Sequence, residues 1–323
     1  MVSSATSPGS PAVTVRVPAK LNLQLAVGPV RGDGYHPLVT VFHAVSLFDE
    51  VTVRPASRTS ITITGEDAAA VPADKTNLAW QAAAALARSA RRTQRDSGIR
   101  IEIRKRIPVA AGLAGGSADA AAVLVACNEL WQTGLSSGEL RQIGGGLGSD
   151  VPFALLGGTA VGRGRGEDLT RALAAGNYHW ALAFGQSGLS TAQVYATWDR
   201  LRAARAQGPE ASPAAGPELS PELMTALRSG DPTAVGPLLS NDLQPAALSL
   251  RPELRRTLAA GSEFGALGAI VSGSGPTCAF LAKDAAHARD IAVALTGAGV
   301  CRAVARASGP APGAAIVKPD RRA

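Results

Sequence analysis

The chain has 323 residues, of which 46% are hydrophobic and only 18% are charged. This length allows one large core or two domains, and the balance excludes a disordered chain or a coiled coil. The 36 glycines and 21 prolines are too many for a helical bundle and follow no collagen-like period. The three cysteines stand singly, which excludes a disulfide framework and a structural zinc site and predicts a reducing, cytoplasmic location.

The formal net charge is +7, and only five of the 32 basic residues are lysines. Because aromatic residues make up 4% of the chain, this charge favours a solvated basic face over a nucleic-acid groove, which needs stacking platforms. A positive balance also suits a polyphosphate ligand. The stretch 1–11 lacks a signal-peptide pattern, and the uncharged stretch 264–282 is broken by Gly and Pro. We therefore expect neither a nucleic-acid partner nor a membrane span.

The first half of the chain predicts a mixed sheet with two helices. Short β-branched runs bounded by Pro, Gly and Asp predict strands at 13–17, 21–27, 39–47, 51–53 and 61–63. The pair Thr76-Asn77 offers an N-cap for a helix over 78–90. The alternation of Ile and charged residues over 99–103 predicts a half-buried strand, and a helix follows over about 117–131.

The second half predicts helices and strands without a regular β-α-β alternation, which favours an α+β fold in two lobes. Its composition makes 207–221 a mobile connector and predicts fraying from Ser308 onward. The predicted strands are 181–185, 269–271, 278–281 and 301–305, and the predicted helices are 191–206, about 221–240, 251–261 and 285–295.

The sharpest motif is the Gly-rich segment 107–119 (IPVAAGLAGGSAD), which lies between a predicted strand and a predicted helix. Gly112, Gly115 and Gly116 let the backbone approach a ligand, and free N–H groups at a helix start favour an anion. A tight turn that needs glycine for geometry alone is the alternative. A second Gly-rich loop at 272–276 (SGSGP) weighs against that alternative. A Walker A loop is excluded because no Gly-Lys-Ser/Thr sequence occurs, and the protein-kinase motifs are missing.

Three segments in order, 18–23 (PAKLNL), 108–117 and 271–275 (VSGSG), resemble the motifs of the GHMP small-molecule kinases. The resemblance covers about 13–306 and implies a two-lobed α+β fold, with mixed sheets and helices and an active site in the cleft between the lobes. It implies an N-terminal domain at 13–172 and a C-terminal domain at 173–308, with tails at 1–12 and 309–323. It also implies ATP as co-substrate, with Mg²⁺ expected and no metal ligand assigned. The residues expected to bind ATP are Pro108, Val109, Ala110, Ala111, Gly112, Leu113, Ala114, Gly115, Gly116, Ser117 and Ala118.

Two further segments, 34–36 (GYH) and 148–153 (GSDVPF), resemble the branch of this family whose acceptor carries cytidine diphosphate. That branch transfers the ATP γ-phosphoryl group to the acceptor's 2-hydroxyl group on the route to isoprenoid precursors. The alternatives are another GHMP kinase acting on homoserine, mevalonate or a sugar, and a regulator that kept the fold and lost catalysis. We expect a monomer or weak homodimer. The residues expected to bind the acceptor are Asn22, Tyr35, His36, Phe42, Thr191, Tyr195, Asn241 and Ser274, with the aromatic residues and the His36 ring recognising the cytosine.

Lys20 and Asp150 are the expected catalytic pair. By the resemblance, Asp150 is the general base and Lys20 keeps that carboxylate ionised while it offsets developing charge. Taken singly, Lys20 could be a surface strand residue and Asp150 a helix N-cap. Two departures from the family pattern stand nearby: Ala111 replaces a glycine of the loop, and the glycine run 144–146 is expected to loosen the segment that carries Asp150.

Overall fold

The structure is a computed structural model that describes residues 12–93, 96–206 and 216–317. Nearly all of the predicted N-terminal tail and most of the connector at 207–221 lie outside the described residues. The strands are β1 (Val13–Val27), β2 (Leu38–Pro55), β3 (Ser60–Gly65), β4 (Ile99–Lys105), β5 (Thr159–Gly164), β6 (Asp168–Arg171), β7 (Tyr178–Phe184), β8 (Ser240–Asn241), β9 (Gly268–Val271), β10 (Cys278–Ala282), β11 (Ala303–Gly309) and β12 (Ala315–Ile316). The helices are α1 (Leu78–Ser89), α2 (Gly115–Leu130), α3 (Ser137–Gly145), α4 (Val151–Leu156), α5 (Thr191–Ala206), α6 (Pro221–Ser229), α7 (Pro232–Val235), α8 (Gln244–Leu250), α9 (Glu253–Glu263) and α10 (Ala285–Gly297).

Two sheets organise these elements into an α+β fold. The larger sheet has the path β12-β1-β2-β4-β3, with β5 attached to β2, β6 attached to β5 and β8 attached to β1. The smaller sheet has the order β11-β7-β10-β9, and all of its pairs are antiparallel. The proposed domain boundary at 172/173 falls between β6, which belongs to the larger sheet, and β7, which belongs to the smaller one.

A continuous apolar core joins the larger sheet to the helices that cover it. Helix α2 is buried on most of its surface, because seven successive residues from Ala118 to Leu124 are buried. A helix that is apolar all round belongs in the interior of a protein. Trp180 and Leu281, from the smaller sheet, pack in the same core. Within the described residues, no helix is long and apolar enough to cross a membrane.

Strand β1 is one strand of 15 residues rather than the two short strands expected. It pairs antiparallel with β2, and its register shifts at Pro18/Ala19 and at Asn22/Gln24. A bulge re-aims side chains, since two residues on one strand face one on the partner. Lys20 and Asn22 share one face because they lie two positions apart in the strand. Leu25, three positions after Asn22, reaches the same face because the second bulge lies between them.

Several predicted elements differ from the observed ones for identifiable reasons. The helix expected at about 221–240 is broken, because Gly230 ends α6 in the left-handed conformation and Pro232 begins a new helical turn. The segment 151–156, for which no element was predicted, is the short helix α4. Helices α3 and α8 and strands β5 and β6 carry weak periodic signals and were not predicted.

The expectation of fraying from Ser308 is wrong for residues 308–317. Strand β11 runs to Gly309, the N–H group of Ala311 donates to the Ala44 carbonyl at 2.8 Å, and β12 pairs with the edge of β1. These backbone hydrogen bonds return the chain from the smaller sheet to the larger one. Residues 318–323 of the expected C-terminal tail lie outside the described residues.

The two Gly-rich loops predicted from the sequence touch each other. The Ser272 hydroxyl donates to the Gly112 carbonyl at 3.1 Å, and the Thr277 N–H group donates to the Ala111 carbonyl at 3.4 Å. Gly112 has φ +76, and a Cβ atom there would lie 2.1 Å from the Ser272 carbonyl oxygen. Only glycine permits this approach, because both the backbone angle and the space exclude a side chain.

We predict that Gly112→Ala lowers the free energy of unfolding by about 2 kcal/mol or more, since it adds both strain and a backbone clash. Gly116→Ala is the matched control, because Gly116 lies in α2 with nothing within 4 Å of its added Cβ. Denaturant unfolding of both variants checks this prediction, with stability of the control unchanged or slightly raised. Equal stability of the two variants would contradict it.

Candidate active site

A cavity of about 1230 Å³ opens where the two Gly-rich loops meet β1 and β2. Its other walls are the start of α2, the segment 145–150, the β5–β6 turn and the first turns of α5. The lining therefore draws on elements of both halves of the chain. A cavity of this size exceeds the usual volume for one drug-sized ligand and has room for two substrates.

The start of α2 forms one end of the cavity. Gly115, Gly116 and Ser117 line it, and the first N–H groups of a helix have no intrahelical acceptor, so they can bind an anion. Ser117 lies within the first turn, whereas the N-cap position is Ala114, which makes no side-chain cap. The Ser117 hydroxyl is thus not required for capping and remains available to a ligand.

The expected ATP-binding segment divides into lining residues and supporting residues. Ala110, Ala111, Gly112 and Ala114 line the cavity together with the helix start. Leu113 and Ala118 instead point into the core, where each is 1% exposed. Pro108 and Val109 also lie outside the lining.

Ala111 fits the loop without a left-handed backbone. The positive φ angles of the loop belong to Gly112 and to two alanines, Ala110 (φ +51) and Ala114 (φ +59). The extra methyl group at Ala111 is 6% exposed and packs in the core. Any strain in the loop therefore lies at Ala110 and Ala114 rather than at the departure noticed in the sequence.

Lys20 is buried at the cavity floor, which excludes the alternative that it is a surface strand residue. Its Nζ atom donates to Asn22 Oδ1 at 2.6 Å, and Asn22 Nδ2 donates to Thr40 Oγ1 at 2.7 Å. The Thr40 hydroxyl must itself donate to the Gln24 carbonyl at 2.7 Å, because a carbonyl oxygen only accepts. This chain fixes the Asn22 amide with its oxygen toward Lys20.

Asp150 lines the same cavity, immediately before α4. It occupies the N-cap position, but its side chain makes no cap hydrogen bond, so the carboxylate is not used by the helix. Burial lowers the pKa of Lys20 from its ordinary value, and the negative charge of Asp150 opposes that shift. The two charges therefore interact across the cavity, although among the described residues they form no direct ion pair.

The glycines before Asp150 form a helix end. Gly144 and Gly145 are the last two residues of α3, and a Cβ atom on Gly144 would lie 2.8 Å from Val151 Cγ1. Gly144 thus lets α3 pack closely on α4. This packing positions the Asp150 segment, contrary to the loosening expected from the glycine run.

An aromatic cluster forms another part of the cavity wall. The ring of His36 stacks on Tyr195 with a centroid distance of 5.0 Å and meets the edge of Trp198 at 5.3 Å. His36 Nδ1 lies 2.9 Å from the Gly28 carbonyl and therefore carries a proton, while Nε2 lies 3.4 Å from Asp199 Oδ2. Both ring nitrogens already face protein groups. The edge of the His36 ring, which was expected to recognise a base, is therefore not free in the structure.

Helix α5 presents Thr191, Tyr195 and Asp199 to the cavity. Residues four apart lie on one helix face, which explains why these three are aligned. Burial, and then the charge of Asp150, raise the pKa of the Tyr195 hydroxyl, so it stays protonated. The Thr191 hydroxyl lies 3.0 Å from that of Ser274, which links α5 to the second Gly-rich loop.

Two expected acceptor residues have other surroundings than predicted. Phe42 is 3% exposed, stacks on Phe153 at 4.8 Å and lies under Lys20, so it forms the floor rather than a free stacking face. Asn241 does not line the cavity. Its Nδ2 atom donates to the Val271 and Gly273 carbonyls at 2.7 and 2.8 Å, so it holds the second Gly-rich loop in place.

A buried charge cluster lies behind the first turn of α2. Lys105 Nζ donates to Asp49 Oδ2 and, at 2.7 Å, to Asp119 Oδ2, and all three side chains are at most 3% exposed. Asp49 Oδ1 also accepts from the backbone N–H groups of Arg106 and Ile107. Burial raises the pKa of Asp119 to about 8, and the charge of Asp49 adds to the shift while Lys105 opposes it. Asp119 is therefore a member of a buried network that ties α2 to β4.

Two charged residues of the cavity wall were not predicted from the sequence. Arg165 lies in the β5–β6 turn, which was not predicted, and nothing distinguished it from the other arginines. Asp199 lies four residues after Tyr195 on a predicted helix, and that spacing was the available signal.

The raised pKa of Asp119 predicts a pH dependence of stability. Between its unfolded value near 3.8 and its folded value of about 8, the folded state binds the extra proton, so stability falls as pH rises. Asp119→Asn removes this titration, and we expect the Tm of the variant relative to wild type to increase from about pH 5 to about pH 8. Asp168→Asn, at an exposed site on β6, is the control, and the difference between its Tm and that of wild type should stay constant over this pH range. A constant offset for Asp119→Asn as well would contradict the raised pKa.

Comparison with protein families shows two matches along the chain. The model described as "GHMP kinases N terminal domain" matches residues 77–158, and "GHMP kinases C terminal" matches residues 223–301. These ranges include the Gly-rich segment with Asp150 and the second Gly-rich loop.

Similar proteins are found among curated and solved proteins. The chain is 56% identical to the 4-diphosphocytidyl-2-C-methyl-D-erythritol kinase of Mycolicibacterium smegmatis, covering 94% of this chain and 92% of that one. It is 53% identical to the protein of the same name from Nocardia farcinica, covering 99% and 100%. A crystal structure of 4-(cytidine 5'-diphospho)-2C-methyl-D-erythritol kinase matches with TM-score 0.71 and 34% identity, over 91% and 98% of the two chains. A homoserine kinase from Cytophaga hutchinsonii shares the fold, with TM-score 0.69 and 19% identity over 97% and 99%.

Proposed function

This chain belongs to the GHMP kinase family and is a phosphotransferase, and from that premise we propose that its acceptor is 4-diphosphocytidyl-2-C-methyl-D-erythritol. The reaction transfers the γ-phosphoryl group of ATP to the 2-hydroxyl group of this acceptor. It is a step in the synthesis of isoprenoid precursors by the methylerythritol phosphate route.

One observation carries the proposal. A single cavity is lined by a helix start that can bind an anion, by Lys20 and Asp150, and by the aromatic residues Tyr35, His36 and Tyr195. The helix start and the charged pair suit phosphoryl transfer, and the aromatic residues suit a flat nucleobase. Homoserine and mevalonate carry no base and would leave the aromatic wall without a partner.

The transfer step follows from the charges at the floor. The 2-hydroxyl oxygen attacks the γ-phosphorus, an O–P bond forms, the bond to the β-phosphate oxygen breaks and ADP leaves. The hydroxyl proton passes to the Asp150 carboxylate, and the Lys20 ammonium stabilises the negative charge that develops on the transferred oxygens. The backbone N–H groups of Gly115 and Gly116 bind the phosphate chain.

The aromatic wall binds the cytosine. The Tyr35 ring is 54% exposed and offers a face for stacking, whereas His36 holds Tyr195 in position through its stacked ring. Thr191 and Ser274 contribute hydroxyl groups to the same cavity. We expect a monomer or a weak homodimer as the working form.

Mg²⁺ is expected to arrive with ATP, where it neutralises charge on the β- and γ-phosphates. The described residues include no cluster of three or more His, Cys, Asp or Glu side chains that could hold a metal ion. The Ser117 hydroxyl lines the cavity and is free of helix capping, and such a ligand fits an ion that would be bound mainly by phosphate and water.

The test is ADP release by the purified chain with Mg-ATP and one of four acceptors: the cytidine-diphosphate compound, free 2-C-methyl-D-erythritol 4-phosphate, homoserine or mevalonate. We expect turnover with the first acceptor alone, because only it carries both a hydroxyl group for the Lys20–Asp150 pair and a base for the aromatic residues. Turnover with homoserine or mevalonate instead would overturn the acceptor assignment. A folded chain that binds ATP and turns over none of the four would indicate a regulator.

Asp150→Asn shows whether turnover arises at this cavity floor. Loss of the base should lower kcat at least about 100-fold while ATP binding is kept. Asp168→Asn changes the same charge at an exposed site on β6 and should keep wild-type kcat. Near-normal turnover by Asp150→Asn would show that the base assignment is wrong.

A further inference from the structure

Arg165 stands at the mouth of the cavity. Its guanidinium lies over the Tyr35 ring, 4.8 Å from the centroid, and both residues line the cavity. The Arg165 side chain is 45% exposed, so its remaining N–H donors are accessible to a ligand. An arginine over an aromatic face keeps its fork of donors in a defined plane.

The turn that carries Arg165 is held by short-range contacts. Gly166 donates its N–H group to the Arg163 carbonyl at 2.9 Å, and the Arg165 N–H group donates to Glu167 Oε2 at 2.7 Å. A Cβ atom on Gly166 would lie 3.3 Å from the Phe42 ring, so the turn rests on the floor residue beneath Lys20. Phe42 thus supports the turn that carries Arg165, and the Arg165 side chain contacts Tyr35.

The charges of the cavity leave a role for this arginine. Among the described residues that line it, Lys20 and Arg165 are the only lysine or arginine side chains, and Asp150 and Asp199 are the only carboxylates. Lys20 is committed to the floor, where it faces Asp150 and donates to Asn22. Glu167 lies 3.5 Å from the Arg165 Nε atom, but such exposed pairs are weak and yield to a stronger anion.

We propose that Arg165 binds the diphosphate group of the acceptor substrate and so selects a nucleoside diphosphate over a nucleoside. The inference rests on the function proposed above, in which the base lies at Tyr35 and the reacting hydroxyl group lies at Lys20. The diphosphate joins the base covalently to the part of the acceptor that carries this hydroxyl group. Arg165 contacts Tyr35, and the turn that carries it packs on Phe42 beneath Lys20. Two anionic phosphates match the planar donor pattern of a guanidinium.

The test compares the binding of CDP and of cytidine to wild type and to Arg165→Gln, by calorimetry on the full chain. We expect the variant to bind CDP about tenfold more weakly, because charge-assisted hydrogen bonds are lost, and to bind cytidine as wild type does. With the complete acceptor, KM should rise by a similar factor while kcat and the KM for ATP stay unchanged. Added salt should weaken CDP binding more in wild type than in the variant.

Arg163→Gln is the matched control. Arg163 is exposed two residues earlier on β5 and does not line the cavity, so its removal lowers the net charge equally and should leave both affinities unchanged. Equal losses of CDP and cytidine in Arg165→Gln would show that Arg165 only orients Tyr35 and would overturn the proposal. Unchanged binding of both ligands would also overturn it.

Failure of this inference is distinguishable from failure of the proposed function. If wild type turns over the cytidine-diphosphate acceptor and Arg165→Gln does so equally well, only the assignment of Arg165 falls. If wild type neither turns over that acceptor nor prefers CDP to cytidine, the proposed function falls with it.

Discussion

The contact between the two Gly-rich loops is the constraint on which the site depends. Gly112 accepts from Ser272 at a separation that no side chain permits, and this brings Gly273 against the end of Lys20. A Cβ atom on Gly273 would lie 3.0 Å from Lys20 Nζ. Lys20 is consequently enclosed between the strand that carries it and the second loop.

Burial of Lys20 carries an electrostatic cost that the surroundings offset. Desolvation destabilises the ammonium ion, and the Asp150 carboxylate compensates from across the cavity. Asn22 supplies a fixed oxygen acceptor, because Thr40 and the Gln24 carbonyl orient its amide. In the proposed transfer step, this lysine would stabilise the transferring phosphoryl group without reorganisation. The buried Asp49–Lys105–Asp119 cluster serves the same site indirectly, since it anchors the first turn of α2.

Local sequence signals were sufficient for the parts of the fold that rest on periodicity and special backbone angles. Strands β1 to β4, β7 and β9 to β11, the long helices α1, α2 and α5 and both glycine loops follow from such signals. The short elements α3, α8, β5 and β6 do not, because tertiary packing stabilises them rather than propensity. The packing of residues 308–317 likewise depends on partners such as Ala44, which are distant in sequence.

The candidate site shows the same division. Lys20, Asp150 and Tyr35 were predicted as members of motifs, and each lines the cavity. Asn241 was predicted as a contact to the acceptor, but its donors hold the second loop, which only the spatial arrangement reveals. Arg165 was not predicted, because its contact with Tyr35 depends on the fold and leaves no pattern in the sequence.

The coupling of Lys20 to Asp150 is the central claim, and the pKa of Lys20 tests it most directly. Only five lysines are present, so NMR titration of protein labelled with ¹³C and ¹⁵N at lysine resolves each side chain. The Lys20 pKa should lie below the ordinary value of 10.5 in wild type, because the side chain is buried. It should fall further in Asp150→Asn, because the compensating charge is gone. An ordinary pKa in wild type, or the same pKa in both proteins, would contradict the coupling.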